Sequence, residues 1–346
     1  MARKSPTLKI VIIIALLSLV IAITLLTFKS FKQPAPFVAP DQLYLAQAPG
    51  SYANAIKKSA PGVVNIQTIK ATKSQQGLGS GVIVDADGHI LTNYHVVKDT
   101  KAITVKLADG RKTTAQIIGT DPQTDLAVLQ IKFANLPVTN LGDSSRIQVG
   151  DVALAIGNPL GLNNTVTQGI ISSIGAIDYG EVLTDLIQTD AAINLGSSGG
   201  ALIDAYGNII GINTAIVSNL AGSQGIGFAI PSNTAKKIMQ ELIAHGKVIR
   251  GWLGAQLSEL PDETRQYLKF QQANGIYVQN TIRNSPAQKA GILPGDIITK
   301  INNAETLDIT SSVKLISSLT PDKTYPLEIF RHGKRLVYTV AITERP

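Results

Sequence analysis

Asp190-Ala-Ala-Ile-Asn-Leu-Gly196-Ser-Ser198-Gly-Gly200-Ala-Leu-Ile203 is the stretch on which the fold turns. Its Gly196-Ser-Ser198-Gly-Gly200 satisfies G-x-S-x-G, the pattern of a serine held on a strained elbow between a strand and a helix. The chain beyond Ser198 does not read as a helix. Residues 201–203 and 209–212 are short apolar, β-branched runs on either side of Tyr206-Gly-Asn208, and Gly-Asn between such runs signals a hairpin. The elbow also demands the chain order Ser, Asp, His. Here the candidate partners His95 and Asp125 both precede Ser198.

Outward from that segment, residues 63 to about 213 alternate short β-branched runs with tight turns. Asp87-Gly88 and Asp109-Gly110 each separate two such runs. No helix-length pattern recurs between strands, so a βαβ fold is disfavoured and an antiparallel sandwich or barrel is expected. The order His–Asp–Ser on a β-rich domain narrows this to a mainly β, chymotrypsin-like double β-barrel. Pro231-Ser232-Asn233 then starts a helix with Ile238, Met239, Leu242 and Ile243 as its apolar face and Gly246 as its C-terminal cap. A second, alternating unit begins near Val248. Its expected strands lie at 275–278, 296–301, 325–330 and 336–342, with short helices near 286–290 and 310–319.

Composition bounds the function. The chain has 346 residues, 44% hydrophobic and 16% charged, which is ample for packed cores and too apolar for wholesale disorder. It has no cysteine, so disulfides, thiolate nucleophiles and Cys-ligated metals are excluded. The four histidines, at 89, 95, 245 and 332, form no H-x₃-H pair, and neither metal nor cofactor is expected. The net charge of +7 is concentrated at one end: Arg3, Lys4, Lys9, Lys29 and Lys32 fall in residues 1–32 with no acid. Residues 33–346 carry 26 bases against 24 acids, a net +2, so nucleic-acid binding has no electrostatic footing.

Residues 10–28 are 19 consecutive uncharged, mostly aliphatic residues. As a helix they match a hydrocarbon core of ~30 Å. The run exceeds the usual signal-peptide core of about 7–15 residues and ends without a small-x-small cleavage site. It reads as a retained transmembrane anchor, with a cleaved signal and a buried helix as the alternatives. The flanking bases place the N-terminus in the cytoplasm and the body outside. The expected plan is a cytoplasmic stub and anchor at 1–32, a Pro/Ala-rich tether at 33–50, a protease domain at 51–247 and a final domain at 248–346.

Three segments carry the chemistry: Leu91-Thr-Asn-Tyr-His95-Val-Val, Thr124-Asp125-Leu-Ala-Val-Leu129, and the Ser198 segment itself. Each alone is weak: a half-buried histidine, a turn aspartate, a flexible glycine loop. Together they supply a nucleophile, a base and an orienting carboxylate. A serine hydroxyl attacks a carbonyl at neutral pH only when a base takes its proton, and imidazole titrates near ambient pH. Aspartate holds that ring in the needed tautomer. Glycines allow a turn whose N–H groups point at the developing oxyanion, and the amides of Gly196 and Ser198 are nominated for that role.

Longer matching text gives a resemblance. Gly79-Ser-Gly-Val-Ile83, Thr92-Asn-Tyr-His95, Asp151-Val-Ala-Leu-Ala-Ile-Gly-Asn-Pro159, Thr167-Gln-Gly-Ile-Ile-Ser172, Gln188-Thr-Asp-Ala-Ala-Ile-Asn194 and Gly225-Ile-Gly-Phe-Ala-Ile-Pro231 resemble the HtrA/Deg serine proteases over about residues 50–346. The resemblance implies a trypsin-like double barrel followed by a PDZ domain. One anchor, one protease unit and one PDZ unit look most like the family's membrane-anchored regulatory branch. In that branch, C-terminal peptides of misfolded outer-membrane proteins bind the PDZ domain and switch on cleavage of a membrane anti-sigma factor. A homotrimer is implied, with Tyr44 and Tyr52 either as its staples or simply as tether or helix aromatics. The alternatives are a general quality-control protease/chaperone of the same family and an inactive peptide-binding scaffold.

The resemblance also places the finer sites. The base of the primary pocket falls at Ala192 and the opposing wall at Ile212 and Ile216, implying a small aliphatic side chain before the scissile bond and rejection of Lys and Arg. Trp252, Leu253, Gly254 and Ala255 match the PDZ carboxylate loop, with Arg250 as a charge partner. Residues 172–187 correspond to a sensor loop holding Asp178, Glu181 and Asp185 but no base. Ser197 departs from the family's usual Asn before the nucleophile, and no proposed catalytic group is lost by it.

Overall fold

The computed structural model describes residues 50–71, 76–158, 164–178, 183–214, 225–267, 270 and 274–345. The expected anchor and tether, Tyr44, Glu181 and Ile216 lie outside the described residues. Among the described residues no helix is long and apolar enough to cross a membrane.

A first helix, α1 (Ala53–Ser59), leads into β1 (Val63–Lys70), β2 (Gln76–Ile83) and β3 (His89–Asn93). A single helical turn, α2 (Tyr94–Val97), precedes β4 (Thr100–Lys106), β5 (Lys112–Thr114), β6 (Gln116–Asp121) and β7 (Leu126–Gln130). These strands form one antiparallel sheet in the order β5-β4-β1-β2-β3-β7-β6. Its two edge strands, β5 and β6, are joined by Ala115 alone, so the sheet must curl round on itself. Asp87-Gly88 turns β2 into β3 with Val82 opposite Leu91, and Asp109-Gly110 turns β4 into β5, as their turn chemistry requires.

The next six strands are β8 (Val152–Gly157), β9 (Thr165–Asp178), β10 (Leu183–Thr189), β11 (Ala201–Ile203), β12 (Ile209–Thr214) and β13 (Gly227–Pro231). They close a barrel in the order β10-β13-β12-β11-β8-β9. Strand alternation explains why so many of these segments read as unbroken apolar runs. In β8, Ala153 and Ala155 face the barrel interior while Leu154 and Ile156 face the seam with the first sheet. In β7, Ala127 and Leu129 face the first sheet's interior while Leu126 and Val128 face the same seam. Both faces are buried, so neither shows the polar alternation of a one-sided sheet.

Helix α3 (Ser232–His245) closes over the seam with Ala235, Ile238 and Leu242, and ends at Gly246 with φ +71. Ile243, expected on the apolar face, is exposed, because one residue beyond Leu242 lies about 100° round the helix. The expected sensor loop is also corrected. Residues 173–178 and 183–188 are paired strands of β9 and β10, with Ser173 opposite Gln188 and Asp178 opposite Leu183.

The last unit comprises β14 (Gly251–Trp252), β15 (Ala255–Glu259), α4 (Asp262–Tyr267), β16 (Ile276–Thr281), α5 (Pro286–Lys289), β17 (Ile297–Ile301), β18 (Ala304–Glu305), α6 (Ile309–Ser318), β19 (Thr324–Arg331), β20 (Lys334–Ala341) and β21 (Thr343–Glu344). Its main sheet runs β15-β16-β17-β19-β20, so β15 is an edge strand. Ile276, Val278, Ile298, Leu327, Ile329 and Val340 pack under α6 through Ile316. β14 pairs with β21, tying the two ends of the unit together.

Candidate active site

His95 sits in the one-turn helix α2, two residues past β3, and Asp125 closes the turn between β6 and β7. Strands β3 and β7 are neighbours, with Asn93 opposite Leu126, so the sheet itself delivers the two residues to one place. Asp125 has φ +55, a left-handed conformation that Asp tolerates better than most residues. Its backbone is held from both sides: the Tyr94 amide and Asn93 Nδ2 each donate to the Asp125 carbonyl at 3.0 Å.

The carboxylate is fully engaged. The His95 backbone N–H donates to Oδ1 at 2.9 Å, and Nδ1 of the His95 ring lies 2.7 Å from Oδ2. Thr214 Oγ1 donates to the same Oδ2 at 3.2 Å. Asp125 is buried, whereas the His95 side chain is 40% exposed. A carboxylate only accepts, so Nδ1 carries the ring proton and Nε2 is left as a lone-pair base. That is the tautomer a serine nucleophile requires.

Ser198 is buried at 4% exposure. Its loop is a turn in which the Ser197 amide donates to the Asn194 carbonyl at 2.9 Å. Gly196 occupies the third position with φ +88, the type II geometry that calls for glycine. Gly199, with φ +83, passes so close to the Ser80 carbonyl and Thr92 Oγ1 that a Cβ there would collide with both. The nucleophile loop is thereby seated against the strands that lead to His95. Among the described residues, the amides of Gly196 and Ser198 have no acceptor, and Ser198 Oγ makes no hydrogen bond to His95. The first fact leaves two N–H groups for an oxyanion. The second is common among serine hydrolases, whose nucleophile–base bond tightens when substrate binds.

The pocket residues fare differently. Ala192 is half-buried, and its carbonyl accepts a bond from Thr167 Oγ1 at 2.8 Å. Ile212 is not a pocket wall. It is fully buried in the seam between the barrels with Leu126, Ala201 and Ile230, because it shares a core-facing register on β12. Thr214, Ser80 and Thr92 join the site although none of the sequence motifs marks them as functional. For Ser80 a sequence signal exists: a serine between two glycines inside a strand marks close backbone approach.

In the last unit, Leu253 is buried with its carbonyl accepting from the Ala287 amide at 2.9 Å. Gly254 has φ +71, and its carbonyl accepts from the Ile282 amide at 2.9 Å. The amides of Leu253 and Gly254 have no acceptor among the described residues. Trp252 lies in β14 and Ala255 opens the edge strand β15, whose far end is tied to α6 by the Ile309 amide donating to Glu259 Oε1 at 2.9 Å. Two free amides beside an unpaired strand edge and a helix match the mode by which a C-terminal carboxylate is captured and its chain added as a strand.

Arg250 is not the carboxylate's charge partner. Its guanidinium makes a bidentate pair with Asp121, at 2.8 and 2.6 Å, and both side chains are largely buried. Asp185 finds its base outside its own segment, in Lys314 of α6 at 2.5 Å. Elsewhere, ligand atoms of Asp85, Asp87 and His89 lie within 4.8 Å of one another at the β2–β3 turn, and His89 Nδ1 is bonded to Asp85 at 2.7 Å.

Comparison with known proteins agrees with this architecture. A trypsin-like peptidase domain matches residues 79–212 and a PDZ domain matches residues 251–342. A probable periplasmic serine endoprotease DegP-like of Chlamydia trachomatis serovar D is 45% identical over 269 residues, covering 78% of this chain and 54% of its own length. The periplasmic serine endoprotease DegP of Escherichia coli K12 is 43% identical over 262 residues, covering 75% and 55%. The chain thus spans about half the length of these curated relatives. Among solved structures, an HtrA-type protease AlgW with tripeptide is 48% identical with a TM-score of 0.81, covering 86% of this chain and 98% of that one. A serine endoprotease from Yersinia pestis is 39% identical with a TM-score of 0.72, covering 86% and 99%. Fold and site define a trypsin-like peptidase joined to a PDZ domain. The chain belongs to the HtrA family of serine proteases.

Proposed function

We propose that this chain is a membrane-anchored regulatory serine endopeptidase of the cell envelope, in the manner of DegS, with the protease at 51–247 and the PDZ domain at 248–346. His95 takes the proton of Ser198 through Nε2 as Oγ attacks the scissile carbonyl. Asp125 holds the ring and stabilises the imidazolium. The amides of Gly196 and Ser198 receive the oxyanion, then His95 returns the proton to the leaving amine. Ala192 leaves the primary pocket without a charge, so a small aliphatic side chain is favoured there and Lys or Arg rejected. The observation that supports the reaction is the 2.7 Å bond from His95 Nδ1 to a buried, fully engaged Asp125, beside a turn with two amides that have no acceptor among the described residues.

C-terminal peptides of misfolded outer-membrane proteins are the activating ligands, seated at Trp252–Ala255 and along β15. The substrate is a membrane protein of the anti-sigma-factor kind, the assembly is a homotrimer, and residues 10–28 hold it in the inner membrane with the body in the periplasm. The runner-up is a general quality-control protease, which the names of the curated relatives favour. Cleavage of candidate membrane substrates by the full chain in detergent, with and without porin-like C-terminal peptides, separates them. The regulatory type is nearly silent without peptide. Equal cleavage of unfolded proteins in both conditions selects the quality-control reading, and failure of Ser198 to react with a fluorophosphonate even with peptide present sinks both.

A further inference from the structure

Ser80 lies in β2 of the first sheet, fully buried, at the seam with the second barrel. It makes four hydrogen bonds. Its Oγ accepts from the Asn158 amide at 2.8 Å and donates to the Gly196 carbonyl at 2.7 Å. Its amide donates to the Ser198 carbonyl at 2.8 Å, and its carbonyl accepts from Thr92 Oγ1 at 2.7 Å. Gly196 and Ser198 are the two residues whose amides are assigned to the oxyanion. One residue from the opposite barrel therefore grips both of their carbonyls.

The direction of an N–H is fixed by its peptide plane, and a plane is fixed when its neighbours cannot rotate. Ser80 Oγ pins the Gly196–Ser197 plane and the Ser80 amide pins the Ser198–Gly199 plane. The plane between them, which carries the Ser198 N–H, is held through the Ser197 carbonyl by the Gly200 amide at 2.9 Å. Three consecutive planes are thus set, and Ser80 bonds the outer two, each of which has one further bond: the Ser197 amide to the Asn194 carbonyl and the Gly199 amide to the Asn213 carbonyl. The Gly196 N–H lies in the Leu195–Gly196 plane, which adjoins the first of them. The hydroxyl rotor is set as well: the Asn158 amide occupies an Oγ lone pair and leaves the proton to Gly196. A buried, charge-free hydroxyl with both neighbours satisfied has no chemistry of its own to perform here.

We propose that Ser80 is a positioning residue for the oxyanion hole, acting through the Gly196 and Ser198 planes; this rests on the reading of Ser198 as nucleophile. In Ser80→Ala the Gly196–Ser197 plane loses one of its two bonds and keeps only that of the Ser197 amide to the Asn194 carbonyl, while the triad keeps every bond described above. The test is steady-state cleavage of a fluorogenic peptide by the full chain in detergent with activating peptide present. It is paired with binding of a peptide aldehyde, which forms a tetrahedral oxyanion on Ser198, and of the matching alcohol, which does not. The expected result is a fall in kcat of about 10- to 100-fold, less than deletion of a donor outright. KM and alcohol affinity stay within about twofold, and the aldehyde weakens in step with kcat. Ser80→Cys, which keeps a weak donor on the same atom, falls between.

The proposal is overturned by an unchanged kcat, or by equal weakening of alcohol and aldehyde. It is also overturned if Ser80→Ala fails to fold while Ser80→Cys turns over at the wild-type rate. Wild-type chain that neither cleaves the peptide nor binds the aldehyde would instead remove the protease reading itself.

Discussion

Replacing Asp125 by Asn probes the site with a minimal change. The side chain keeps its size, so the fold has no steric reason to alter. The difference lies in the bonding demanded of His95. Oδ1 of Asp125 accepts from the His95 backbone N–H at 2.9 Å, and a backbone N–H can face only an acceptor. The Asn carbonyl oxygen must take that position, which turns its amide –NH₂ toward Nδ1 and Thr214. An –NH₂ donates, so Nδ1 has to give up its proton and the ring carries it on Nε2 instead. That tautomer cannot accept a proton from Ser198. The loss expected for the wrong tautomer is about 10⁴ in kcat, or about 5 kcal/mol of transition-state stabilisation. KM should move little, because no substrate contact is touched. The assay is peptide hydrolysis under saturating activating peptide, with the fluorophosphonate labelling rate as a second readout. Activity of the Asp125→Asn variant within tenfold of wild type would mean that the His95–Asp125 bond does not set the ring, and the catalytic argument built on it fails.

Three other outcomes are expected. Gly254→Val forces a β-branched residue into φ +71 with its Cβ against Ser285, so binding of a labelled C-terminal peptide, read by fluorescence anisotropy, should weaken by about tenfold or more; undiminished affinity would place the carboxylate elsewhere. Arg250→Met leaves the buried Asp121 carboxylate without its cation and should cost about 2–4 kcal/mol, seen as a lowered thermal midpoint, while Arg250→Met with Asp121→Leu recovers much of it; a double variant no better than the single one would contradict this. Asp143 accepts bonds from Ser145 Oγ and from Asn233 Nδ2, which hold its carboxyl down from 3.8 to about 2. A lowered folded-state pKa stabilises the fold above the unfolded value and loses that contribution as pH falls from about 4 toward 2; a carboxyl NMR titration centred near 3.8 would refute it.

The hairpins were legible because their information is local. Asp87-Gly88, Asp109-Gly110 and Tyr206-Gly-Asn208 each state the turn their neighbours need, and the structure pairs the flanking strands in that register. Residues 172–187 differ for the opposite reason: the resemblance made them a loop, and only the ladder between 173–178 and their own return strand at 183–188 makes them β. Ile212 misleads through alternation. A strand buried on both faces has no exposed register, so proximity in sequence to Thr214 says nothing about which face meets substrate. Thr214 was illegible as a site residue because its role is a bond to an atom 89 residues away; for Ser80 the flanking glycines signal a close backbone approach but not that the partner is Gly196, 116 residues away.

Charges pose the same difficulty in sharper form. In the sequence Arg250 reads as a partner for a peptide carboxylate and Asp185 sits in a segment with no base, yet each pairs with a residue 129 positions distant. Both pairs join the barrels to the last unit, and each satisfies a charge that sequence neighbours could not. Arg250 matters more, since Asp121 is buried at the end of β6 and begins the turn that Asp125 completes. Thr124 in that turn also donates to the Asp121 carboxylate. The turn that presents the catalytic carboxylate to His95 is therefore bonded at one end to the imidazole and at the other to the segment leading into β14. An unpaired Asp121 would leave a buried carboxylate short of its strongest partner in that turn, so the bidentate guanidinium ties the segment leading into β14 to the loop that carries the catalytic acid.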